Sequence, residues 1–266
     1  MEDYRAKGRL QDSVVWPEFR ASEILEISGL RHSIVGDAII RILGYPLVIS
    51  DLYLAIADEQ LQDAYSILLD NGFNDVPGVD LAYRYEHAIE SPAGWPGYRL
   101  VVDPSAQLQA TRVMLVPATF WHLNLEPESF SANTFLFPDS RCRFPRRLFY
   151  LHALIDVISE RDQKSGFNTN ITGYFKLQYS YLLAVIPKDL IALLSEEDRF
   201  FVDLFQKVLL PSARKKVCLQ RQQIRMGCIT VEAARQSIPR KDLALAALKR
   251  KYQKGTINLA DNPPCG

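Results

Sequence analysis

Cysteine is scarce in this chain and forms no pattern: Cys142, Cys218, Cys228 and Cys265 are scattered, with no CxxC spacing. That argues against a structural zinc site or a disulfide framework, so reduced thiols are expected. The histidines, His32, His87, His122 and His152, show no HxH or HxxxH spacing. His122, after two aromatics in FWHLNL, is expected to be a satisfied, partly buried side chain rather than a base. The chain has no GxxxxGK[ST], no GxGxxG and no GxSxG. Phosphate-loop, dinucleotide-binding and serine-hydrolase chemistry therefore have no support. Long apolar runs are missing too, and the longest, such as 179–187, are short and interrupted by polar residues. The opening MEDYRAKGRLQDS is polar and has no apolar core, unlike a secretory signal. A soluble cytoplasmic or nuclear protein with no membrane partner is expected.

Net charge is also lacking, because 31 Lys and Arg balance 31 Asp and Glu. The balance is uneven along the chain. Residues 211–255 hold twelve Lys or Arg against only Glu232 and Asp242. Such a segment can bind nucleic acid or another anion, or it can solvate the outer faces of several helices. With no exposed aromatics interleaved and no RNA-binding signature, solvation is the favoured reading.

What is present is a strong local pattern between residues 16 and 73. Trp16, Phe19, Ile24, Leu25 and Ile27 make a helical stripe that stops at Gly29. Ser33-Ile34-Val35 reads as a buried strand turning at Gly36, and Asp37 is placed to cap a helix over 38–43. A second strand is expected from Leu47-Val48-Ile49 through Leu52, Leu54 and Ile56. Asp58-Glu59 then opens a helix over 60–69. Residues 74–97, rich in Gly, Pro and Asp, suggest a surface excursion with a strand near 83–87. Residues 98–102 and 111–116 form a hairpin about the Asp103-Pro104-Ser105 turn. An irregular connection is expected over 118–145. After Pro145 only helices are expected, at 146–161, 171–186, 187–194, 196–209, 213–226, 230–237 and 240–252. The predicted organisation is a flexible 1–15, an α+β domain over 16–140, a helical domain over 141–254 and a flexible tail over 255–266.

Helix, strand, glycine turn, helix, acidic strand, helix is the order that resembles the nucleotidyltransferase superfamily, including small antibiotic nucleotidyltransferases and AbiEii-type toxins. IVGDAIIRILG matches the glycine turn and its helix, ISDLYLAIAD sits where the acidic strand belongs, and LQDAYSILLDNGF resembles the helix ending in Gly-Phe. The resemblance covers roughly 18–123 and extends to uncharacterised fungal proteins with a helical second half. It implies an α+β fold, a nucleotidyltransferase-like mixed sheet followed by a helical domain, with a site using Mg2+ or Mn2+ and an NTP. Gly36, Asp37, Ser50 and Tyr53 would then meet the nucleotide. Asp51 would be the catalytic carboxylate and a metal ligand, with Asp37 and Asp103 as further candidate ligands.

The chemistry of that reaction needs carboxylates that hold metal against the triphosphate. In a strand, Asp-x-Asp turns two of them to one face. Here the tripeptide is Asp51-Leu52-Tyr53, and a phenol that ionises near pH 10 is a poor magnesium ligand at neutral pH. Asp37 replaces the second glycine of the turn, and the later strand, RVMLV over 112–116, supplies no acid. Two expectations follow. The first is a degenerate nucleotidyltransferase-fold protein that binds a nucleotide or a protein partner without transfer. The alternative is an active metal-dependent enzyme moving NMP to a small molecule, protein or RNA through Asp51 and a relocated acid.

Overall fold

The computed structural model describes residues 19–47, 49, 51–75, 96–102, 112–138, 140–163, 169–208, 210–238, 245 and 247–251. The expected strand near 83–87, the turn at 103–105, the frayed 1–15 and the tail over 255–266 lie outside the described residues.

The chain is α+β: a mixed sheet with helices, followed by a helical stretch. It divides into two compact units, Met1–Val157 with Gly166–Leu190, and Ile158–Ser165 with Ile191–Gly266. That division follows contacts rather than the change from strands to helices near residue 140. The first half of one long helix and the whole of the next therefore belong with the sheet.

In the first unit the order is α1 (Arg20–Ile27), β1 (His32–Val35), α2 (Asp37–Ile42), β2 (Asp51–Ile56) and α3 (Leu61–Asp70). Next come β3 (Asn74–Asp75), β4 (Tyr98–Val101) and β5 (Arg112–Pro117). Five strands form one sheet in the order β1-β2-β5-β4-β3, with β2 and β5 parallel and the other pairs antiparallel. Every residue of β1 and β2 is buried, as is β5 apart from Pro117. Continuous apolar strands of this kind are covered on both faces. Gly97 enters β4 at φ 96°, where a Cβ would lie 1.9 Å from the Leu115 carbonyl oxygen, so only glycine lets the two backbones meet.

Three expectations need correction. Leu47 and Ile49 precede the second strand rather than form it. β2 starts at Asp51, where its pairing with β5 begins at Arg112, and its β1 partner reaches only as far as Tyr53. The stretch 118–145 is not irregular. It contains a 3-10 turn (Ala118–Trp121), α4 (Pro127–Asn133) and a two-stranded sheet of β6 (Thr134–Leu136) and β7 (Arg143–Pro145). β7 packs against β1 and covers an otherwise open sheet edge. His122 is exposed rather than partly buried, in a left-handed conformation (φ 52°) that ends the 3-10 turn.

Arg143 ties this hairpin to α1. Its guanidinium donates to both carboxylate oxygens of Glu26, at 2.7 and 2.5 Å, and to Thr134 Oγ1 at 3.1 Å. It also lies over the Phe130 ring at 4.6 Å. A bidentate pair of this kind is both strong and directional.

The helices α5 (Arg147–Gln163) and α6 (Thr169–Val185) follow. They bring Tyr150, Leu151, Leu154, Phe175 and Tyr179 into buried positions. After α7 (Lys188–Ala192), the second unit has α8 (Glu196–Leu204), α9 (Pro211–Arg225) and α10 (Val231–Ser237) in mutual contact. Phe200, Phe201, Leu204, Val217, Cys218 and Ala234 form its core. Pro211 occupies the first turn of α9, where a missing N–H costs nothing, and Thr230 Oγ1 caps α10 by accepting from Ala233 N at 3.2 Å.

Candidate functional site

The chain reverses from β1 into α2 at Gly36, which has φ 70° and ψ −142°. This conformation favours glycine, and the space beside it is already occupied. A Cβ there would meet the Tyr174 hydroxyl at 2.8 Å and Tyr53 Cδ2 at 3.0 Å. The Gly36 N–H donates to the Tyr150 hydroxyl at 3.0 Å. Burial, aided by the nearby Asp37 charge, pushes the Tyr150 phenol above the usual tyrosine range, so it stays neutral.

Asp37 is the first residue of α2, not its cap, because Gly36 takes the cap position and no side-chain capping bond forms. The Asp37 carboxylate instead accepts a hydrogen bond from Gln178 Nε2 on α6. Burial pushes its carboxyl up from the ordinary range, and hydrogen bonds from Gln178 and Tyr174 act against that shift. Gln178 is fully buried and its Oε1 has no hydrogen-bond partner.

Asp51 and Tyr53 lie on one face of β2, as alternate strand residues must. Both are buried, at 5% and 4% exposure. The parallel register places Arg112 beside Asp51 and Met114 beside Tyr53. Arg112 is itself only 6% exposed. A buried carboxylate requires compensation, and the residue set next to it across the sheet is a guanidinium.

Tyr53 belongs to an aromatic group. Its ring centre lies 5.8 Å from Tyr174 and 6.3 Å from Trp121. Trp121 in turn lies 4.8 Å from Phe175, edge to face, and 6.1 Å from Tyr150. Such pairs add to the burial of large apolar rings and hold one another in place.

Of the expected site residues, the structure brings Gly36 and Tyr53 together through this packing, and Asp37 follows Gly36 directly in the chain. Asp51 shares Tyr53's face of the sheet. Ser50 and Asp103 lie outside the described residues. Among the described residues, no group of three or more His, Cys, Asp or Glu is placed to hold a metal ion. Among the described residues, the groups of the expected site are engaged by other side chains or set beside a cation. The turn is packed by tyrosine rings, Asp37 is engaged by Gln178, and the strand beside Asp51 contributes a cation.

Arg112 is the residue the sequence pattern did not single out. RVMLV was recognised as the strand that should carry a third acid, but which of its residues faces Asp51 depends on a pairing between strands sixty residues apart.

A second arrangement resembles a catalytic pair and is not one. Ser22 Oγ lies 2.8 Å from His32 Nε2, and His32 Nδ1 lies 2.9 Å from the Leu30 carbonyl oxygen. Both side chains are fully buried. Burial pushes the imidazole down to about 4, so it is neutral at pH 7, and no substrate can reach it. It is a satisfied core histidine.

The chain is similar to a nucleotidyltransferase-like protein. A crystal structure of an antigenic nucleotidyltransferase-like protein from Paracoccidioides brasiliensis matches with 17% identity and a TM-score of 0.40. The match covers 71% of this chain and 86% of that one. No protein-family model matches the chain, and no curated protein sequence does.

Proposed function

We propose that this chain is a nucleotidyltransferase-like protein that works by binding a nucleotide or a protein partner and does not transfer a nucleotidyl group. The element order from α1 to α3 supports the fold-level part of this reading. One observation carries the rest: on the sheet face that should present carboxylates, the register sets Asp51 beside Arg112 and Tyr53 beside Met114. A divalent cation bridging a triphosphate needs several negative ligands. One acid beside one guanidinium offers no net charge to attract it, and a buried cation next to the metal position repels it. Asp37 does not make good the loss, because its carboxylate accepts from Gln178 and burial disfavours its ionised form.

The test is thermal unfolding with ATP, GTP, CTP and UTP, each with and without magnesium or manganese. A ligand that binds only the folded state raises the melting temperature by mass action, so the acceptor need not be known. A nucleotide shift that is independent of metal is the expected result for a nucleotide-binding protein. No shift at millimolar nucleotide points to a protein partner instead. A metal-dependent shift that disappears in Asp51→Asn would overturn the reading and restore the transferase. Asparagine matches aspartate in size, so loss of the shift can be separated from loss of the fold.

A further inference from the structure

We propose that the outer face of α9 docks an acidic amphipathic segment of a partner protein. This surface belongs to the second unit, and the proposal does not depend on the reading of the Asp51 site. α9 carries Arg214, Lys215, Lys216, Arg221 and Arg225 and no acidic residue. Its inner stripe, Ala213, Val217, Cys218 and Arg221, is buried, and Arg221 is engaged there by Asp198. On the other side Lys215, Leu219, Gln222 and Met226 recur at helical spacing and are all exposed. Leu219 is 45% exposed and Met226 60%.

A single exposed leucine needs no explanation, but two large apolar side chains aligned in one row of a wholly basic helix are a more specific feature. Charge complementarity selects the occupant. A helix with apolar residues three and four apart, flanked by Glu or Asp, would cover Leu219 and Met226 and place carboxylates against Lys215, Lys216 and Arg225. A nucleic-acid backbone would use the cations but offers nothing to the two apolar side chains. A membrane interface requires a broad apolar face, whereas Lys215 and Gln222 interrupt this one.

The experiment uses the full chain and a fluorescently labelled, helix-forming peptide of Glu and Leu with leucines three and four apart, beside its scrambled counterpart. Anisotropy should show the patterned peptide binding more tightly than the scramble, with affinity falling as salt is raised. Leu219→Ser with Met226→Ser should weaken binding by roughly tenfold or more, and Lys215→Glu with Lys216→Glu should do the same. These positions are exposed or half-buried, so circular dichroism should report unchanged helicity in both variants. Equal binding of peptide and scramble would overturn the proposal, as would no binding at millimolar peptide. So would single-stranded RNA or phosphatidylserine vesicles that bind more tightly and ignore the Leu219→Ser, Met226→Ser change.

Discussion

Asp37 is held by its surroundings on α2 and α6. Its carboxylate faces Gln178, and burial raises its pKa, so the folded chain takes up this proton more readily than the unfolded chain. The stabilising contribution of such a group is complete at low pH and is lost as pH rises through the folded value. At neutral pH the ionised carboxylate is therefore a cost to the fold, offset by the bonds from Gln178 and Tyr174. Asp37→Asn retains an oxygen to accept from Gln178 and removes the charge. Its melting temperature at pH 7 is expected to equal or exceed that of the parent chain, with the difference shrinking as the pH falls toward 4. A clear loss of stability at pH 7, joined to loss of any metal-dependent nucleotide shift, would show that the carboxylate serves a bound cation. Gly36 shows the same crowding at the backbone: the Tyr53 ring and the Tyr174 hydroxyl fill the space beside it.

At the scale of elements, the second unit is pinned by a buried ion pair. Arg221 of α9 donates to Asp198 Oδ1 of α8 from Nε at 2.7 Å and Nη2 at 2.6 Å, and its Nη1 lies 3.4 Å from Ser159 Oγ. Both side chains are almost wholly buried, at 5% and 1% exposure. Removing one partner leaves a charge without compensation in the core, which costs about 3–5 kcal/mol. Asp198→Ala and Arg221→Met are each expected to destabilise the chain by that order in urea unfolding. Replacing both together, as Asp198→Leu with Arg221→Met, should recover most of the loss, because an apolar pair of similar volume carries no desolvation cost. Additive losses in the double variant would mean that the two side chains stabilise the fold independently, not through each other. The pairing of α8 with α9 is thus specified by one acid and one base. On sequence alone Asp198 looks like an ordinary first-turn acid, and Arg221 like one more cation in a basic helix.

At the scale of the whole molecule, strong periodicity was legible and long-range register was not. The strand at β1, the Gly36 turn, the α3 stripe and the β4–β5 hairpin follow from local pattern, and so does the substitution of Tyr53 for an acid. The Asp51–Arg112 register, the cover of β1 by β7 and the engagement of Asp37 by Gln178 join residues about 60, 110 and 141 positions apart. No local propensity encodes such meetings, and three-residue strands ending on a proline carry too little pattern to be recognised. A contact much closer in sequence bears on the response of the chain to acid. His32 sits fully buried between Ser22 and the Leu30 carbonyl with its pKa lowered to about 4, against 6.5 in water. Between those values the unfolded chain binds a proton that the folded chain refuses, so stability falls as pH drops from 6.5 toward 4. The difference corresponds to about 3 kcal/mol when complete. Glu26, whose carboxyl the Arg143 guanidinium holds below its usual range, adds a loss in the same direction only at lower pH, as it protonates. Unfolding free energy measured from pH 7 to pH 4 should therefore decline first through His32. His32→Gln can keep an acceptor toward the Ser22 hydroxyl and removes the titration. It should lower stability at pH 7 modestly and flatten the decline above pH 4.5. A slope unchanged in His32→Gln would place the acid sensitivity in other groups.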